Sequence, residues 1–199
     1  KDPDASGTWI VMKESGEAAV LLNGAFRNHQ PVYPYRKSRG LVLLDIASSV
    51  DMNEAFHEID LTGIEPFTLV MYKPGLLTVG RWDGHNRHFK QADHRLPAIW
   101  SSATLYTTEV VQQRQQWFAD WLSANSQPKL NDVLHFHRFG GQGNTGNSIR
   151  MNRQGELLTV SITCLEILPD AAHFHYYDLR NNEHSSTPIK FSQAIQPNS

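Results

Sequence analysis

The 199-residue chain contains a single cysteine, Cys164, which excludes an internal disulfide and a cysteine-based zinc knuckle. Charge is also scarce. Lys and Arg number 18 against 20 Asp and Glu, charged residues total 19%, and no run of one sign occurs. An electrostatic grip on a nucleic-acid backbone or an acidic membrane therefore has no visible source. Long apolar runs are missing too: stretches such as Leu41 to Leu44 fall far short of the roughly 20 residues that a membrane-spanning helix needs. The expectation is a soluble protein with no membrane span, its compartment open but the cytoplasm favoured. The opening Lys1-Asp2-Pro3-Asp4 lacks an initiator Met and the basic and apolar regions of a secretory signal. Upstream polypeptide is expected to have been removed.

What is present suffices for a core. At this length a compact fold buries roughly 70% of the surface its unfolded chain exposes, so neither a disulfide nor a structural metal is needed for stability. One domain is expected over 1–184, with a C-terminal tail over 185–199, which carries Pro188 and Pro197 and is expected to fray.

Thr8 to Met12 and Ala18 to Leu22 read as a hairpin turning at Gly16, the second strand apolar enough to be covered on both faces. Asn28 to Lys37, with Pro31 and Pro34, reads as an irregular connection. Leu41 to Ile46 fits either strand or helix, and Ser49 to Phe56 has the acidic start of a capped helix. Phe67 to Tyr72 and Leu76 to Trp82 flank Lys73-Pro74-Gly75 as a second hairpin. Asn147 to Asn152 and Glu156 to Leu165 form a third pair, and Ala172 to Leu179 a further strand. Val110, Val111, Arg114, Trp117, Phe118, Trp121 and Leu122 recur at helical spacing, and Leu130 to Phe139 reads as a helix ended by Gly140-Gly141. The sum is an α+β layered domain with largely antiparallel strands.

Few segments carry a chemical signal on their own. Gly140 to Gly146 is glycine-rich, but no lysine follows as a phosphate loop requires, so it reads as a connection. His135-Phe136-His137 and His173-Phe174-His175 are His-x-His elements. An i,i+2 pair shares one face only in a strand, so a helix over 130–139 separates His135 from His137 and leaves His173 and His175 paired. With ten histidines in the chain, chance pairs are expected, and no metal is assigned to them. No Gly-x-Ser-x-Gly elbow is present. Cys164 sits in an apolar strand, where burial raises a thiol's pKa rather than activating it. Asn23-Gly24 ends a buried strand and serves equally well as a turn or as an amide donor to a developing oxyanion.

Gly7 to Met12, Ala19 to Gly24, Ser38 to Leu43, Ile99 to Leu105 and Asn152 to Leu157 together, in this order, resemble the NRDE family, also called transport-and-Golgi-organisation-like proteins. Its members are similar to N-terminal nucleophile (Ntn) hydrolases of the choloylglycine and penicillin-acylase type. The resemblance implies a four-layer αββα sandwich and a linear amide substrate cleaved by an initial Cys whose own amino group is the base. That Cys precedes the Gly-Thr-Trp segment by several tens of residues in the family, so the chain is expected to lack its N-terminal strands and to be inactive alone. A separate N-terminal segment is then a possible partner. By position, Asn23 matches the strand-end Asn of the oxyanion hole. The hole's second Asn falls at Ser101, and a late Arg falls at Asn144. No cofactor is implied for the hydrolase. The alternative is a carrier of haem or another small molecule, with His173 and His175 serving an iron porphyrin.

Overall fold

The computed structural model describes residues 7–144 and 146–192; Lys1 to Asp4, Thr145 and Pro197 lie outside them. Helices and antiparallel sheets make up the fold, as the α+β reading expects. The chain divides into two compact units, residues up to 107 together with those from 191, and residues 108–190.

In the first unit β1 (Ile10–Met12), β2 (Ala18–Asn23), β3 (Phe67–Lys73), β4 (Leu76–Trp82) and β5 (Arg87–Ala92) form one antiparallel sheet in chain order. Both predicted hairpins are present, with Val11 opposite Ala19 and Val70 opposite Val79. The ambiguous segment is a helix, α1 (Arg39–Ser48), because Ser38 caps it by accepting from the Leu41 amide at 3.3 Å. A second helix, α2 (Met52–Glu58), follows at the predicted capped start. Val42, Leu43 and Ile46 from α1 and Met52 and Phe56 from α2 meet Leu21, Phe67, Leu69 and Met71 in the core. Burial of such side chains contributes about 1.5–3 kcal/mol each, so this face dominates the stability of the unit.

Asp51 caps α2, accepting from the amides of Asn53 at 2.8 Å and Glu54 at 3.2 Å, and Lys73 Nζ lies 2.7 Å from its carboxylate. The Lys73 hydrogen bond first, and the two helix amides after it, hold the carboxyl below its ordinary value of 3.8. A depressed carboxyl favours the fold while ionised, so its contribution is complete above the ordinary value and is lost as pH falls through the lowered one. Asp51→Ala should cost about 1 kcal/mol at neutral pH and flatten the acid limb of the stability curve. Urea denaturation at pH 7 and pH 3 checks this: an undiminished acid dependence rejects it.

In the second unit, α3 (Thr108–Ala124) and α4 (Leu130–Phe139) fall where the spacing predicts. Phe118 and Trp121 of α3 pack on Phe136 of α4 with ring centres 5.6 and 4.9 Å apart. A ribbon of β6 (Asn152–Arg153) and β7 (Leu157–Leu158) precedes a three-stranded sheet of β8 (Ser161–Ile167), β9 (Ala171–Asp178) and β10 (Glu183–Lys190), with β9 central.

Three expectations change. Asn147 to Arg150 is a chain of bends and turns rather than a strand, since Ser148 N–H turns back to the Asn144 carbonyl at 2.7 Å, and of the expected strand only Asn152 is extended, in β6. Glu156 to Leu165 is broken before Ser161 into two strands. Ser185 to Lys190, expected within the fraying tail, belongs to β10 and pairs residue by residue with β9, Ser186 opposite His175 and Lys190 opposite Ala171. Eight ladder positions offset the ordering cost that its polar sequence does not.

Candidate functional site

Two groups of side chains stand out, one in each unit. In the first, β2 ends at Asn23, and Gly24 turns the chain at φ 79°. That conformation favours glycine, and a Cβ at Gly24 would stand 3.0 Å from the Ala103 side chain. The corner is held from three directions. The Asn23 carbonyl accepts from Ser102 Oγ at 2.8 Å and from the Ala103 amide at 3.0 Å, Gly24 N–H donates to the Pro66 carbonyl at 3.0 Å, and Thr68 Oγ1 donates to the Gly24 carbonyl at 2.9 Å. Asn23 and the Ser101 segment are thus brought together across 79 residues of sequence, by Ser102 rather than by Ser101 itself.

The Asn23 side chain is less settled than its backbone. Its Oδ1 is buried without a hydrogen-bond partner. Turning the amide by half a rotation exchanges O for NH2, so in either orientation one buried end of this amide has bonding capacity left over. Native proteins leave few buried polar groups in that condition.

Beside this corner the Pro66 carbonyl also accepts from Arg39 Nη1 at 3.3 Å. Arg39 pairs with Glu65 at 3.2 Å, and the other Glu65 oxygen meets His29 Nε2 at 3.1 Å. Burial lowers the Arg39 pKa, and Glu65 opposes that shift. Arg39 and Glu65 stand in the wall of a cavity of about 530 Å3 that also includes Trp9, Tyr33 and Tyr35. His29, Arg39 and Glu65 escape sequence reasoning because they lie on the loop after β2, at the first residue of α1 and on the connection before β3; a proline-bracketed loop rich in Tyr and Arg is the hint of them.

In the second unit His173 and His175 point to one face of β9, as the strand spacing requires, with ring centres 5.8 Å apart. His135 and His137 lie on α4 and do not share a face in that way. Glu166 of β8 stands directly across from His173, and Cys164 across from His175. His175 is buried, at 8% exposure, with its Nε2 3.5 Å from Glu166 Oε2 and its Nδ1 without a hydrogen-bond partner. His184 of β10 stacks on Tyr177 at 4.2 Å and lies 5.7 Å from His175. The half-buried Cys164 thiol is pushed up, by burial first and by the Glu166 charge second, so it remains protonated and packs as a small apolar group. Asn144 sits in the turns after α4, where its carbonyl accepts from Asn147 and Ser148 N–H.

Among the described residues no helix is long and apolar enough to cross a membrane. No protein-family model matches the chain, and no curated protein matches it in sequence.

Proposed function

We propose that this chain carries the oxyanion-binding part of a four-layer Ntn-type amide hydrolase, an NRDE-like protein whose cysteine nucleophile is supplied by polypeptide outside these 199 residues. The observation that carries the reading is Asn23 at the end of β2, its side-chain Oδ1 buried without a partner, so that the amide turned by half a rotation presents its NH2 donors at that place. A corner whose backbone is tied at Asn23, Gly24 and Pro66 while one side-chain end stays unsatisfied is built to receive a ligand rather than to maximise stability.

The chemistry follows from that placement. Attack of a thiolate on the amide carbon moves the carbonyl electron pair onto oxygen, and the Asn23 N–H stabilises that oxygen without titrating. Ser101 supplies a weaker second donor. Collapse of the tetrahedral intermediate breaks the C–N bond, the amine leaves with a proton from the base, and water then hydrolyses the thioester. In the resembled family that base is the amino group of the attacking Cys. Cys164 does not fill the role, because its thiol is held protonated in a strand of the second unit. The outer edge of β1 also supports the reading: among the described residues β1 pairs with β2 alone, and such an edge accepts a further strand.

The complete translated product, with its initial Cys, should release amine from acylated amines, and Cys→Ser should abolish the release. Asn23→Ala should lower kcat about 100-fold with KM little changed. In the 199-residue chain the same substitution should move stability by less than about 1 kcal/mol, because no bond to Oδ1 is lost. Turnover indifferent to Asn23→Ala, or no turnover on any acylated amine, overturns the proposal.

A further inference from the structure

We infer that Glu166, His173 and His175, on one face of the β8–β9 hairpin, bind a single divalent transition-metal ion of the zinc type. One donor atom from each of the three lies within 4.8 Å of the others. The hairpin sets this arrangement, since Glu166 and His173 are direct cross-strand partners and His175 follows two residues along the same strand. Two imidazoles and one carboxylate make a mixed N/O set that suits zinc and its first-row neighbours, whereas calcium and magnesium take oxygen alone. Three protein ligands leave a fourth position for water or an anion.

The spacing argues for an ion over an ion pair. His175 Nε2 and Glu166 Oε2 stand 3.5 Å apart, longer than the roughly 2.7–2.9 Å of a charge-assisted hydrogen bond. In a tetrahedral site with bonds of about 2.1 Å, donors are separated by about 3.4 Å, so this pair is already spaced for a shared cation. His173 and Glu166 are only partly buried, and side-chain rotation brings the third donor in. A second observation is His175 itself: its side chain is 10% exposed, and apart from the long 3.5 Å approach of Nε2 to Glu166 its ring has no hydrogen-bond partner, Nδ1 being buried without one. Ligation at Nε2 offsets part of the cost of burying the ring. His184 and Tyr177, stacked beside it, restrict how the ring can turn.

Untagged protein, stripped with a chelator and titrated with Co2+ and then Zn2+, tests the site. One Co2+ per chain should bind with visible absorption bands that Zn2+ displaces. Glu166→Gln and His173→Gln, both at partly exposed positions, should each weaken binding by at least about 100-fold while the circular dichroism stays unchanged. His135→Gln on α4 and Cys164→Ser should bind as the parent does. Absence of saturable binding, binding that survives Glu166→Gln or His173→Gln, or binding lost in either of the other two variants would overturn the inference.

Discussion

Phe56→Ala should destabilise the first unit by about 3–5 kcal/mol, the range for removing a buried aromatic side chain and leaving a cavity behind. The ring is fully buried, meets Phe67 edge-on at 6.1 Å and lies 6.3 Å from Phe89. It also fills a recess in the sheet at Gly80, where a Cβ would stand 2.8 Å from the ring. That contact makes a sharper test than the single substitution. Gly80→Ala overpacks the recess and should cost about 1–3 kcal/mol, whereas in a Phe56→Leu background the smaller side chain makes room. The double variant should therefore be more stable than the sum of the two single losses, by about 1 kcal/mol of coupling. Urea denaturation followed by circular dichroism measures the cycle, and strict additivity would show that Gly80 is glycine for a reason other than Phe56.

Arg114→Met should cost the second unit about 3–5 kcal/mol, although methionine preserves much of the volume and adds to the apolar face of α3. Arg114 is 7% exposed and is the one buried residue of that helix. Its Nε donates to the Asn147 carbonyl at 3.0 Å and its Nη2 to the Ser148 carbonyl at 2.5 Å. Hydrogen bonds from a charged donor are worth about 1.5–3 kcal/mol each, and their loss leaves carbonyl groups behind that methionine cannot satisfy. Arg114→Lys should recover part of the loss, because an ammonium lacks the planar fork that reaches two carbonyls at once. Hydrogen exchange should report opening in the 146–150 segment in step with the loss. A change below about 1 kcal/mol in Arg114→Met would mean that water serves those carbonyls equally well.

Much of the fold is legible because burial leaves a period in the sequence. The hairpins at Gly16 and Gly75 and the helices from Thr108 and Leu130 all show it, and Arg114 already stands among the inward positions of α3. The elements that escape are those without an apolar face. Strand β5 is exposed at every residue but the last, and β10 at all but Ile189; both are fixed by their neighbours' ladders, which no local pattern encodes. Leu41 to Leu44 is apolar throughout and shows no period, so the Ser38 cap is what distinguishes helix from strand. The His173 and His175 pair is readable from spacing alone. Glu166 joins it through the register of β8 against β9, which the short turn at Leu168 to Asp170 sets by symmetry. The hold of Ser102 on Asn23 spans 79 residues and leaves no local trace.

Strand β10 is an edge strand of its sheet and exposes nearly all its side chains, an arrangement that ordinarily invites another copy of the same chain to add on and start a fibril. Pro188 lies within it, opposite His173. A proline is tolerated in a rim strand when the missing N–H is the one directed away from the neighbouring strand, so the rim has a gap where a docking backbone would need a donor. Glu183 and Lys190 add a charge of each sign at its two ends. The residue that makes this segment look unfit for a strand thus also guards the assembled sheet against growing by accretion.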